Sequence, residues 1–192
     1  MKMKVIVVVD MQNDFVSWQD EAAGKQLVKD IREYLLKELA AAPDTHVIFT
    51  MDTHNEDTYE KYFESSTYPI HCINGSKGWN IVEDLADIAL DPNTYPTVST
   101  VRKDTYGNGD LVCKLLEIQE ATKNPPKEFE VVGLCTDICV LANMVVLNSN
   151  FPFSKISLID NLTLGSNENK KKSAIDVMNS MGFNIVTKLY TK

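Results

Sequence analysis

The chain has 192 residues, 44% apolar and 24% charged, with a formal charge of −8 at neutral pH. This length and balance predict a single globular domain over residues 1–192 with a substantial core, and the acidic surplus argues against a nucleic-acid partner, which needs a basic face. No apolar stretch approaches the length of a membrane span, and four irregularly spaced cysteines behind an N-terminus unlike an export signal predict a reduced, cytoplasmic setting.

Along the chain, β-branched runs alternate with amphipathic stretches. Lys4 to Val9 is a run suited to the middle of a parallel sheet, and it ends in Asp10 ahead of Met11-Gln-Asn-Asp-Phe15. A helix follows from roughly Ala22 to Ala41, where Leu27, Ile31, Leu35 and Leu39 recur at helical spacing. Then come a strand at His46 to Thr50, a long loop, a short helix near Asn80 to Ala89, and a strand at Thr97 to Val101 with Arg102-Lys103 at its carboxyl end. A helix near Asp110 to Ala121 leads through a rigid turn at Pro125-Pro126 into a strand at Glu128 to Leu134. A helix after Asp137, a strand at Ile156 to Ile159, a helix near Asn167 to Met181 closed by Gly182, and a strand at Asn184 to Thr187 complete the series. Six strands alternating with helices predict an α/β fold of three layers, with a central, mainly parallel sheet, helices on both faces and right-handed crossovers.

Open sheets of this kind build their sites beyond the carboxyl ends of the strands. Asp10 and Lys103 fall at two such ends, and Gly133-Leu-Cys-Thr-Asp-Ile-Cys-Val140 places Cys139 where a strand turns into a helix. Free N–H groups at a helix start favour a thiolate and suit a developing oxyanion, so Cys139 is the candidate nucleophile. Each residue has a plainer reading taken alone: Asp10 as a cap, Lys103 as a surface charge, Cys139 as packing. Their joint arrival at one sheet edge favours chemistry.

The long loop carries Met51-Asp-Thr-His-Asn55 at its start and Tyr68-Pro-Ile-His-Cys72 further on. In an extended backbone Asp52 and His54 leave from the same side, and His71 and Glu64 can close on them. Two imidazoles with carboxylates suit Zn²⁺, Mn²⁺ or Fe²⁺. A bound metal would also give so long a loop a reason to be ordered.

Together, the segments around Asp10, Asp52-Thr-His54, Tyr68-Pro-Ile-His-Cys72, Lys103 and Thr136-Asp-Ile-Cys-Val140 resemble the isochorismatase-like cysteine hydrolases, and among them the nicotinamidase branch. The resemblance implies the isochorismatase-like fold, Cys139 as nucleophile, Asp10 as general base and Lys103 as the organising cation. It further implies a cis peptide between Leu134 and Cys135 that turns the Cys135 N–H, beside that of Cys139, toward the oxyanion. The small-molecule amide would be nicotinamide, its ring nitrogen on one divalent metal, foremost Zn²⁺, held by Asp52, His54 and His71 with Glu64 as a further candidate ligand. Phe15 and Tyr68 would hold the ring from its two faces. Hydrolysis would pass through a thioester and serve the salvage of pyridine nucleotides. Family members are often dimers or larger, so a homo-oligomer is expected, with no membrane partner. The chain departs from the family pattern at Tyr68, where tryptophan is common, at Ile70, where proline is frequent, and at Asp104, where glycine often follows the lysine. Two alternatives therefore stand beside nicotinamide hydrolysis: a related amidase acting on another small amide or carbamoyl compound, and a non-catalytic member that binds a ligand.

Overall fold

A computed structural model describes residues 3–42 and 44–188; Met1 and Lys2, ahead of the first strand, lie outside the described residues. Six strands, β1 (Met3–Val9), β2 (His46–Asp52), β3 (Val98–Lys103), β4 (Pro126–Leu134), β5 (Lys155–Leu164) and β6 (Asn184–Val186), form one sheet in the order β3-β2-β1-β4-β5-β6. Every pairing is parallel, and β1 lies between β2 and β4 with Val7 opposite both Ile48 and Val131.

The alternation of side chains along β1 supplies both faces of the core. Ile6 and Val8 pack with Leu27, Ile31 and Leu35 of α2 (Glu21–Ala41) and Leu85 and Ile88 of α3 (Glu83–Leu90). Val5, Val7 and Val9 pack with Leu111 and Leu115 of α4 (Gly109–Thr122), Met144 and Leu147 of α5 (Leu141–Asn150) and Met178 of α6 (Glu168–Ser180). Val5 to Val9 are fully buried, as a strand covered on both sides requires. This is the three-layer arrangement expected from the alternation of strands and helices.

Several boundaries move for identifiable reasons. Pairing with neighbours carries β2 on to Asp52 and β3 on to Lys103, so both residues are the last of their strands. Pro126 opens β4 instead of belonging to the turn, a position where its missing N–H costs no ladder bond. Gly182, at φ +82°, ends α6 as expected. The helix after Asp137 begins as a single π turn over Thr136–Val140 before α5 takes over. At Gly133, φ is +110° and a Cβ would lie 2.2 Å from the Val9 carbonyl oxygen, so only glycine lets β4 run this close to β1.

On the face of the sheet that α2 covers, Glu130 of β4 is ringed by Lys4 at 2.6 Å, Lys188 at 2.7 Å and the Tyr34 hydroxyl. Both lysines also reach Glu38 of α2, at 2.7 and 2.9 Å. Burial by itself would push the Glu130 carboxyl up, but Lys188, Lys4 and Tyr34 outweigh it and hold it below the usual range. A depressed folded value means that this carboxylate stabilises the fold fully above its unfolded pKa and ceases to as pH falls through the folded one. Glu130→Gln should cost about 2 kcal/mol at neutral pH. In urea titrations at several pH values the gap to wild type should close in acid, and a gap that persists unchanged at low pH would refute the linkage.

Candidate active site

The sheet order reverses direction between β1 and β4, and at such a switch point a crevice opens beyond the carboxyl ends of the strands. Asp10 follows β1, Asp52 ends β2, Lys103 ends β3, and Cys135 follows β4 across a cis peptide from Leu134. Asp10 adopts a left-handed conformation, φ +49°, unusual outside glycine. Thr50 secures it, its hydroxyl donating to Asp10 Oδ1 at 2.6 Å and accepting the Asp10 N–H at 3.2 Å.

Lys103 Nζ lies 2.8 Å from Asp10 Oδ2, 3.1 Å from Asp52 Oδ1 and 3.6 Å from Cys139 Sγ. The structure thus brings Asp10, Lys103 and Cys139 together, with Asp52 as a fourth member. Burial opposes the Lys103 charge, yet Asp10, Cys139 and Asp52 hold the ammonium well above its ordinary value. For Asp10, burial outweighs Lys103, and repulsion from Asp52 adds to it, so the carboxyl is raised. Burial likewise pushes the Cys139 thiol well up against the pull of Lys103. Cys139 sits in the π turn before α5, where its burial opposes the help that the helix start and the lysine give a thiolate. A thiol beside a raised carboxyl is an arrangement in which a proton passes from one to the other as attack occurs.

Three further side chains converge on Asp52. Asp52, His54, Glu64 and His71 are buried, and their ligand atoms all lie within 4.8 Å of one another. His54 Nε2 stands 3.0 Å from Asp52 Oδ2 and 2.7 Å from Glu64 Oε1, while His71 Nε2 stands 3.1 Å from the same Asp52 oxygen. One ring nitrogen facing two carboxylate oxygens can satisfy only one of them with a proton, whereas a cation placed among the four atoms satisfies all. Two imidazoles and two carboxylates therefore fit a divalent metal of the zinc, manganese or iron type. Tyr59 braces the group. Its hydroxyl reaches the carbonyls of Tyr68 and Pro69 at 3.0 and 3.1 Å, and its ring meets those of His54 and His71 edge-on.

Both clusters open into one cavity of about 160 Å³, with Asp52, Glu64, His71 and Cys139 at its base. Phe15 and Tyr68 line it as expected, and so do Trp18, Gln19, Tyr106, Ile138 and Ser166, which sequence reasoning missed. Trp18, not Phe15, stands nearly parallel to Tyr68, with centroids 6.5 Å apart and planes 18° apart. Phe15 and Trp18 instead meet His71 edge-on at 5.2 and 5.1 Å. The one signal for Trp18 was its place three residues beyond Phe15, on the same side of a helical turn.

The Gln12-Asn-Asp14 segment holds this floor in place. Gln12 accepts the Asp52 N–H at 2.7 Å and donates to the carbonyls of Asp52 and Trp79 at 2.8 and 2.7 Å. Asp14 accepts the Cys72 N–H at 2.8 Å, next to His71. Cys135 also lines the cavity, 3.7 Å from Gln19 Nε2, and burial pushes its thiol up to about 12. Among the described residues no hydrogen bond takes up the Cys135 N–H.

Comparison with known proteins adds four findings. The family model described as the isochorismatase domain matches residues 4–188. The nicotinamidase/pyrazinamidase of Mycobacterium tuberculosis is 27% identical over 193 aligned positions, 96% of this chain and 98% of that protein. Among solved structures, a nicotinamidase of Bacillus subtilis superposes with a TM-score of 0.80 at 26% identity, covering 98% of this chain and all of that one. The pyrazinamidase of Pyrococcus horikoshii in complex with zinc superposes with a TM-score of 0.73 at 22% identity, covering 96% and 99%.

The convergence of four ligand atoms predicts that the purified protein carries a stoichiometric divalent metal by elemental analysis. The His54→Ala, His71→Ala double variant should retain almost none, and equal metal in both proteins would return these histidines to an ordinary loop.

Proposed function

The chain belongs to the isochorismatase family, and we propose that it is a metal-dependent cysteine amidase that hydrolyses nicotinamide to nicotinate and ammonia. The observation that carries this reading is one buried lysine ammonium touching a carboxyl, a thiol and a carboxylate of a metal-ligand cluster, with the thiol and that carboxylate lining one ring-sized cavity. A cavity of about 150 Å³ holds benzene, so about 160 Å³ suits one six-membered ring with a small substituent.

An amide carbonyl is a weak electrophile with a poor leaving group, so the site must supply a nucleophile, an oxyanion donor and a proton. Cys139 Sγ attacks the carbonyl carbon as its proton passes to the Asp10 carboxylate, whose raised affinity for a proton suits a general base. Lys103 balances the charge that moves between them. The Cys135 N–H, which no protein acceptor takes up among the described residues, and the Cys139 N–H receive the oxyanion. Protonated Asp10 then releases ammonia and leaves a thioester, and a water deprotonated by Asp10 frees the acid. Bound at Asp52, His54, Glu64 and His71, a divalent metal supplies a Lewis-acid anchor for the ring nitrogen. The zinc in the Pyrococcus relative supports that assignment. Trp18 and Tyr68 confine the ring between nearly parallel faces. Burial, with Asp137 and Asp10 nearby, pushes the Cys135 thiol up to about 12, which makes it the poorer nucleophile candidate.

Ammonia release from nicotinamide should be measurable for wild type, abolished by a chelator, and lowered by at least about 10³-fold in Cys139→Ala. Well-folded, metal-loaded protein without turnover would reject nicotinamide and direct attention to other small amides. Trp18→Ala should raise KM about three- to tenfold with a smaller change in kcat, the worth of one aromatic contact. An unchanged KM would remove Trp18 from the ring site.

A further inference from the structure

Within α5, Asn143 is fully buried in a segment whose other inward positions are Met144 and Leu147. Asparagine is a poor helix former and costly to bury unless its amide is paired. Here three of its four hydrogen-bonding positions are used. Nδ2 donates to the Cys139 carbonyl at 2.8 Å, one turn back, and to the Tyr106 carbonyl at 3.2 Å. Oδ1 accepts the Asn108 N–H at 3.0 Å. The amide has one workable orientation, because a flipped one would face donors with donors and acceptors with acceptors.

These partners belong to two pieces of the site. Cys139 lies in the π turn, and Tyr106 and Asn108 lie in the loop that begins directly after Lys103 and ends where Asn108 caps α4 through Leu111 N at 3.1 Å. The loop is pressed onto α5 at the same place. A Cβ on Gly107 would stand 2.9 Å from Val146 Cγ2 and 3.5 Å from the Ala142 carbonyl oxygen. Lys103 and Cys139 touch across this junction at 3.6 Å.

We propose that Asn143 is a positioning residue for the nucleophile: it ties the Cys139 turn to the Lys103–Asn108 loop, so that Sγ, its lysine and the Tyr106 wall keep one mutual geometry. This rests on the reading of Cys139 as nucleophile. An apolar residue at 143 would pack and favour the helix, but it would leave the two carbonyls and the Asn108 N–H without their partner.

The test is the rate at which iodoacetamide alkylates Cys139 in the metal-loaded protein, followed on the Cys139 peptide by mass spectrometry. This readout needs no assumption about the substrate. Asn143→Leu removes all three bonds, and Asn143→Asp keeps the shape but sets a carboxylate against two carbonyls. Both should react about tenfold more slowly, within what a displacement of an ångström or less costs a reacting pair. Leu147→Ala, one turn further along α5 in the core, serves as a control for lost stability and should react at the wild-type rate despite its lower Tm. If Asn143→Leu does not fold, Asn143→Asp decides. Wild-type rates in a folded Asn143 variant, or an equal fall in Leu147→Ala, overturn the proposal. No reaction at Cys139 in the wild type overturns it together with the nucleophile reading, whereas normal wild-type reaction with unaffected Asn143 variants overturns it alone.

Discussion

A lysine ammonium taken out of water constrains the whole catalytic end of this protein. An isolated charge in such a place would lose its hydration without return, so Lys103 is viable only with Asp10 and Asp52 within 3.1 Å of it. Those carboxylates are costly to bury in their turn, and the lysine, with hydrogen bonds from His54 and His71, keeps Asp52 far below the ordinary range despite its burial. Cys139 is placed against the same cation. Neither the lysine nor its carboxylates can be exchanged singly without leaving a buried charge short of a partner, which makes these three a unit.

Asp52 is where this unit meets the metal-ligand cluster. One of its oxygens faces Lys103, and the other faces the Nε2 atoms of both His54 and His71. Its backbone N–H and carbonyl are both bound by Gln12, which fixes the strand end from which the carboxylate reaches its two neighbours. The Asp10–Lys103–Cys139 trio and the candidate metal ligands are therefore not two separate groups. They are one electrostatic assembly in which a carboxylate at the end of β2 belongs to both.

The sheet makes the assembly reachable. With β1 at its centre and the order reversing beside it, the residues that follow β1 and β4 and those that end β2 and β3 crowd one crevice. Glycine at 133 lets β4 approach β1 closely enough for this. The long loop between β2 and α3 then folds back, bringing Glu64, Tyr68 and His71 over strand ends to which they are distant in sequence.

What could be read in the chain was whatever periodicity and residue chemistry encode locally. The buried run of β1, the helical spacing of Leu27, Ile31 and Leu35, the alternation of strands and helices, and the chemical types at Asp10, Lys103, Cys139, Asp52, His54, Glu64 and His71 all have local signatures. The contribution of Tyr106, Gln12 and Asn143 has none, and that of Trp18 only its spacing from Phe15. An asparagine in a helix announces nothing until the chain has folded and set it against Cys139, and the stacking of Trp18 on Tyr68 exists only in the fold. The full burial of Cys139, which raises its thiol against the pull of Lys103, was likewise beyond the sequence, because it is a property of the whole packed structure. Sequence alone determined which chemical groups are present and which strand ends carry them, because those follow from neighbours in the chain. Only the tertiary structure decided their distances, their desolvation and their shared carboxylate, because those are set by residues far apart in the chain that meet only when the sheet and its loop close.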